Sequence, residues 1–89
     1  MNSKRTRLEV IRDILDVLQK NRNVKITHII YKANLSNNSI KPYLENLLKN
    51  KMIEQITANK QRFFRITEKG HEFLQEFNKI KIFSDSFGL

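Results

Sequence analysis

The stretch "ANLSNNSIKPYLENLLKNKMIEQ", Ala33 to Gln55, decides how this sequence folds. Ser36 is a preferred helix N-cap, because its hydroxyl can accept from a free first-turn N–H. Beyond it Ile40, Tyr43, Leu44, Leu47 and Leu48 recur at helical spacing, and "MIEQIT" then switches to residues that favour strands. The helix so predicted is divided along its length. Its leading turns carry Asn37, Asn38, Ser39 and Lys41, which serve a core poorly, and its trailing turns carry leucines. Such a helix anchors through its end and offers its polar start to a partner. Pro42 removes one backbone donor. Either the helix bends there, or its regular part begins near Ser39 with Pro42 in the first turn.

Upstream, Thr6 and Glu9 fit a capping box, and Leu8, Ile11, Leu15 and Leu18, flanked by Ile14, predict a helix over 7–20. "VKITHIIYKAN" sets Ile26, Ile29, Ile30 and Ala33 on one face of a short helix over 25–33, with Asn34 as a left-handed stop. Downstream, "MIEQIT" and "RFFRIT" read as a hairpin. The connection "ANKQ" lacks Asn-Gly or Asp-Gly, so a loop longer than two residues is expected. Thr67 then caps a last helix over 67–83 with Phe73, Leu74, Phe77, Ile80 and Phe83 as its stripe. Gly70 weakens this helix slightly, and "SDSFGL" reads as a frayed end.

Helix, helix, helix, hairpin, helix is the plan of a winged helix-turn-helix, an α+β fold that is mainly α. In such folds the third helix is the recognition helix. With 89 residues, two Gly and one Pro, the chain reads as one domain without an internal linker. It contains no Cys, which removes disulfides, thiolate nucleophiles and Cys-bound zinc together. No apolar run approaches the roughly 20 residues of a membrane span, and the start shows no secretory pattern, so a cytoplasmic chain is expected.

Charge is unevenly spread. Residues 20–66 hold ten basic side chains and two acidic ones, net +8, and the flanks nearly cancel. Such a middle points to a polyanion, nucleic acid above all.

The run "IIYKANLSNNSIKPYLENLLKNKMIE", with "ITEKGHEFL" after it, resembles the small archaeal winged-helix DNA-binding family. The matching residues are Tyr31, Ala33, Asn34, Leu35, Ser36, Tyr43, Leu44, Leu47, Leu48 and Ile53, together with Ile66 to Leu74, within a resemblance spanning residues 7–80. The family includes chromatin-type proteins that dimerise through a C-terminal helix. The resemblance implies a winged helix, duplex-DNA binding and a homodimer.

Candidate contacts follow from residue types. Asn37, Asn38, Ser39 and Lys41 start the recognition helix; Asn can bond adenine bidentately, and Lys can reach guanine or phosphate. Capping alone would also account for Asn37, Asn38 and Ser39. Lys60, Gln61 and Arg62 sit at the hairpin tip. Lys25, Thr27 and His28 lie at the start of the second helix, where free N–H groups attract phosphate. Lys4, Arg5 and Arg7 form a basic arm or a plain tail within residues 1–6 and just beyond. Phe73, Phe77 and Ile80, spaced 4 and 3 apart, make a heptad seam for a homodimer, with Phe87 on its continuation.

His28 and His71 have no ligand-spaced partner, so no metal or other cofactor is expected. No nucleophile set or phosphate loop is visible, so no enzyme and no small-molecule substrate are expected either. Tyr31 and Tyr43 read as core or core-edge residues. The competing functions are a protein-interaction module, favoured by Pro42 and Glu45 on the outer face of the third helix, and RNA binding through the same basic surface.

Overall fold

A computed structural model describes residues 4–89. The order is α1 (Arg7–Lys20), α2 (Ile26–Lys32), α3 (Asn37–Lys49), β1 (Ile53–Ala58), β2 (Gln61–Ile66) and α4 (Glu68–Ser86). This is the winged helix-turn-helix order expected.

Each helix begins as its sequence dictates. Thr6 caps α1 in a full capping box: Glu9 N–H donates to Thr6 Oγ1 at 3.1 Å, and Thr6 N–H donates to Glu9 Oε1 at 2.8 Å. Ser36 caps α3 in the same reciprocal way with Ser39. The helix ends are equally regular. α2, α3 and α4 all close with paired bonds from the two residues beyond the cap back to the last turn. In α2 Leu35 N–H reaches Ile30 O; in α3 Met52 N–H reaches Leu47 O; in α4 Leu89 N–H reaches Ser84 O, all at 2.9 Å. The left-handed residues that this closure needs are Asn34 (φ 57°), Lys51 (φ 61°) and Gly88 (φ 74°). The expected fray at "SDSFGL" is therefore corrected: α4 runs on to Ser86, and Gly88 provides its stop.

Pro42 lies inside α3, and the helix is assigned continuously from Asn37 through it. Regular helix therefore starts at the Ser36 cap and not near Ser39. The missing N–H leaves the Asn38 carbonyl without its helical partner, on a face that is exposed.

The hairpin is tighter than its sequence suggested. Ile53 pairs with Ile66 and the register runs to Ala58 with Gln61, so only Asn59 and Lys60 form the turn. Both are left-handed, φ 51° and 63°, the geometry of the favoured two-residue turn. Asn enters that region readily, and Lys60 follows it without the glycine that usually marks it. Val24 extends the sheet by one residue, exchanging backbone bonds with Phe64 at 2.9 and 2.7 Å.

The core comprises Val10, Ile11, Ile14, Leu15, Val17 and Leu18 of α1, Val24, Ile29, Ala33, Ile40, Leu44, Leu47, Ile53, Phe64 and Leu74. Two expected core residues lie elsewhere. Leu8 is 53% exposed, in the first turn of α1 beside the exposed end of α4. Tyr31 is 79% exposed: it sits two residues, or about 200° of helical rotation, from the buried Ile29. Tyr43 is half-buried at the core edge.

Gly70 has a packing role that its helix position hid. A Cβ there would collide with the Met52 carbonyl oxygen and lie 2.6 Å from Ile66 Cγ1. Thr67 caps α4 and ties it to the start of the wing, its hydroxyl directed at the Lys51 and Met52 carbonyls at 2.7 and 2.9 Å. α4 is thus seated closely at its start. Beyond Phe77 every side chain of α4 is exposed except the half-buried Ser84.

Candidate nucleic-acid interface

The polar residues singled out by sequence fall into two clusters. On α3 the buried stripe is Ile40, Leu44 and Leu47. That stripe turns Asn37, Asn38, Ser39, Lys41, Pro42 and Glu45 to solvent. Among the described residues no side-chain hydrogen bond engages Asn37, Asn38 or Lys41, so their polar atoms are available. Ser39 differs: its hydroxyl accepts from Ser36 N–H at 2.9 Å and its own N–H donates to Ser36 Oγ at 3.0 Å. Ser39 holds the first turn of the helix in shape.

The second cluster joins α2 to the wing. Lys25, Ile26 and Thr27 face Gln61 and Arg62 across a groove of about 300 Å³. Beside it, Asn21, Asn23, Val24, Lys25, Thr27, His28 and Phe63 line a second depression of about 350 Å³. Lys25 Nζ stands 5.9 Å from the Phe63 ring centroid and Arg62 Cζ 5.6 Å from that of Phe64. These aromatic faces hold two cations that have no carboxylate partner among the described residues. Lys60 is exposed at the tip beside Asn59.

Not all the positive charge is free. Arg65 Nε is 2.7 Å from Glu54 Oε2, its directly opposite residue across the hairpin. Lys20 Nζ is 3.0 Å from Asp16 Oδ2. Burial pushes the Asp16 carboxyl up, but the bonds from Lys20 and Gln19 outweigh it, so Asp16 stays below the usual carboxylate range. Arg5, expected in a basic arm, is bound internally: it donates to Asp13, Ala33 O and Asn34 O. The remainder of that arm, Met1 to Ser3, lies outside the described residues; Lys4 and Arg7 are exposed. Sequence gave no sign of Phe63 as a seat for Lys25, or of the Arg5 contacts. Both depend on residues brought together from distant parts of the chain.

The hydrophobic residues of α4 divide. Leu74 is buried, and Phe73 packs on the core edge. Phe77 is half-buried, its ring 6.3 Å from that of Phe73 and 5.4 Å from Arg12 Cζ. Ile80 is 68% exposed, and so to similar extents are Phe83 and Phe87, whose rings meet at 4.7 Å. Among the described residues no helix is long and apolar enough to cross a membrane, and no group of His, Asp and Glu could hold a metal ion.

The family model for the winged helix-turn-helix matches residues 4–84, and the chain belongs to that family. Among solved structures it is similar to Sso10a-2, a DNA-binding protein from Sulfolobus solfataricus, at 28% identity and a TM-score of 0.82, over 94% of this chain and 87% of that one. A mutant of MepR from S. aureus superposes with a TM-score of 0.78 at 14% identity, over 88% of this chain and 61% of MepR. The transcriptional repressor CouR, solved on a 23-mer DNA duplex, superposes with a TM-score of 0.71 at 16% identity, over 85% of this chain and 54% of CouR. At those identities MepR and CouR show the fold alone. No curated protein sequence matches this chain significantly.

Proposed function

We propose that this protein binds duplex DNA as a transcription regulator or nucleoid-associated protein, as a homodimer, without a cofactor and without catalysis. The observation that carries this reading is the groove that sets Lys25 and Thr27 against Gln61 and Arg62, within a segment of net charge +8. Its similarity to the DNA-binding Sso10a-2 points the same way. Asn37, Asn38 and Lys41 on α3 are the groups to meet base edges. Lys25, Thr27, His28, Lys60, Gln61 and Arg62 are the groups to hold backbone. Ser39 sets the first turn that carries the base-reading residues. Glu45 repels phosphate, so contact concentrates on the turns of α3 before it.

Fluorescence anisotropy on a random-sequence duplex at a series of salt concentrations tests the proposal. Neutralising about four to six phosphates gives a slope of log K against log salt of about −4 to −5. A flat response, or no binding at low salt, would overturn it in favour of a protein-interaction module.

A further inference from the structure

Arg5 is placed where three parts of the chain meet. Its Nη1 donates to Asp13 Oδ2 at 2.7 Å and to the Ala33 carbonyl at 2.8 Å, and its Nη2 donates to the Asn34 carbonyl at 3.0 Å. Asp13 belongs to α1, and its other oxygen accepts from Arg12 Nε at 2.8 Å. Ala33 is the C-cap of α2, and Asn34 is the left-handed residue beyond it. The Arg5 and Asp13 side chains are each about one-quarter exposed.

The carbonyls at a helix C-terminus lack helical partners and form the negative end of its dipole. A guanidinium suits that place, because its fork reaches several acceptors at fixed angles. What it holds here is the turn between α2 and α3. Only Leu35 separates Asn34 from the N-cap Ser36. The backbone at Ala33 and Asn34 therefore sets the direction in which α3 leaves, and with it the position of Asn37, Asn38 and Lys41. Charge-assisted bonds of this kind are about twice as strong as neutral ones, and Asp13 fixes the guanidinium from the α1 side.

We propose that the Arg5–Asp13 pair is a positioning clamp for the recognition helix: it sets the α2–α3 turn, and so governs DNA affinity without touching DNA. The inference rests on the DNA-binding reading for its functional half. Its structural half stands apart and is read separately below.

The test uses the full chain with Arg5→Gln, Arg5→Lys and Asp13→Asn, each checked for folding by circular dichroism. Duplex binding is measured against salt, and amide hydrogen exchange is followed at Leu35 to Ile40. Arg5→Gln is expected to weaken binding about fivefold with an unchanged salt slope, whereas loss of a direct phosphate contact would flatten the slope by about 0.9. Arg5→Lys keeps the charge but loses the fork, and is expected to weaken binding as well. Asp13→Asn decides most sharply. It makes the chain more positive by one charge, so simple attraction predicts tighter binding; the clamp predicts binding about threefold weaker. All three substitutions should accelerate exchange at the bonded amides of this stretch, Leu35, Ser36, Ser39 and Ile40. Tighter binding by Asp13→Asn, or a flattened slope in Arg5→Gln with exchange unchanged, would overturn the clamp. If the wild-type chain does not bind duplex at low salt, the DNA reading fails by itself. Exchange then judges the clamp on the turn: acceleration sustains it, and no change overturns it.

Discussion

Ala58 pairs with Gln61 across the hairpin, and that pairing leaves the wing only Asn59 and Lys60 with which to turn. Both adopt left-handed backbone, and Lys60, at φ 63°, does so with a side chain for which that conformation is unfavourable. Glycine would relieve the strain. A lysine in this position is explained if its charge is what the tip requires. Lys60→Gly is therefore expected to stabilise the fold by about 0.5–1 kcal/mol and to weaken duplex binding at the same time. Thermal melts and anisotropy on one sample measure both. A variant that is more stable and binds as tightly as wild type would remove Lys60 from the interface.

Gly70 makes a second backbone-level prediction. Its place in the first turn of α4 looks like a weak point by helix propensity, so Gly70→Ala should help an isolated helix. In the folded chain the added methyl would meet the Met52 carbonyl and the Ile66 side chain. Overpacking of this kind costs about 1–3 kcal/mol, which exceeds the gain of about 1 kcal/mol from propensity. Gly70→Ala should thus lower the midpoint in urea. An unchanged or raised midpoint would show that α4 can move away from the wing without loss.

Acid should weaken the α1 cap in a defined direction. The Thr6 backbone N–H bonds the Glu9 carboxylate and, with the Thr6 hydroxyl and nearby Arg12 and Lys81, holds Glu9 below its ordinary value of 4.5. A carboxyl whose pKa is lower when folded adds stability above 4.5, and that contribution is lost as pH falls through the folded value. Glu9→Gln should therefore lower the melting temperature at pH 7. At a pH well below the ordinary carboxylate range the two proteins should melt together. A difference that persists undiminished in acid would assign the effect to something other than the ionised carboxylate.

How far the chain could be read in advance follows from where each signal lies. Helix starts are local: Thr6 with Glu9, Ser36 and Thr67 are caps that need only neighbours within three residues, and all three stand as read. The stop of α4 was equally local, with Gly88 and Leu89 fitting a left-handed closure, but polar residues before it suggested fraying. The two-residue turn escaped because Lys60 takes a left-handed place where glycine is the usual signal. Tyr31 was misplaced because an aromatic next to Ile29 and Ile30 resembles core until its angle on a seven-residue helix is fixed. The polar start of α3 was legible from its divided composition. The groove between Lys25 and Arg62 was not, since 36 positions lie between them and the Val24–Phe64 pairing that brings them together joins distant parts of the chain.

The end of α4 makes the last prediction. The protein core covers the start of this helix through Leu74, with Phe73 and Phe77 at the core edge. Ile80, Phe83 and Phe87 follow at spacings of 3 and 4 on an exposed side. Leu8, Arg12, Phe77, Ile80 and Leu89 also line an open depression of about 340 Å³ between α1 and α4. Aromatic side chains bury about 150–250 Å² each, and leaving several in water together marks an interaction surface. A second copy of α4 would cover them, and a two-fold pair would present two α3 helices to one duplex. The seam then lies further along the helix than Phe73, which this chain already packs on its own core. Ile80→Glu with Phe83→Glu is the informative double variant, because both residues are exposed and their loss should spare the fold. Sedimentation equilibrium at tens of micromolar is expected to give a wild-type dimer and a folded monomer for the variant. The variant's salt slope on DNA should fall to about half, as one protomer's phosphate contacts remain. A wild-type mass of one chain would refute the dimer, and a variant that stays dimeric would move the seam away from Ile80 and Phe83.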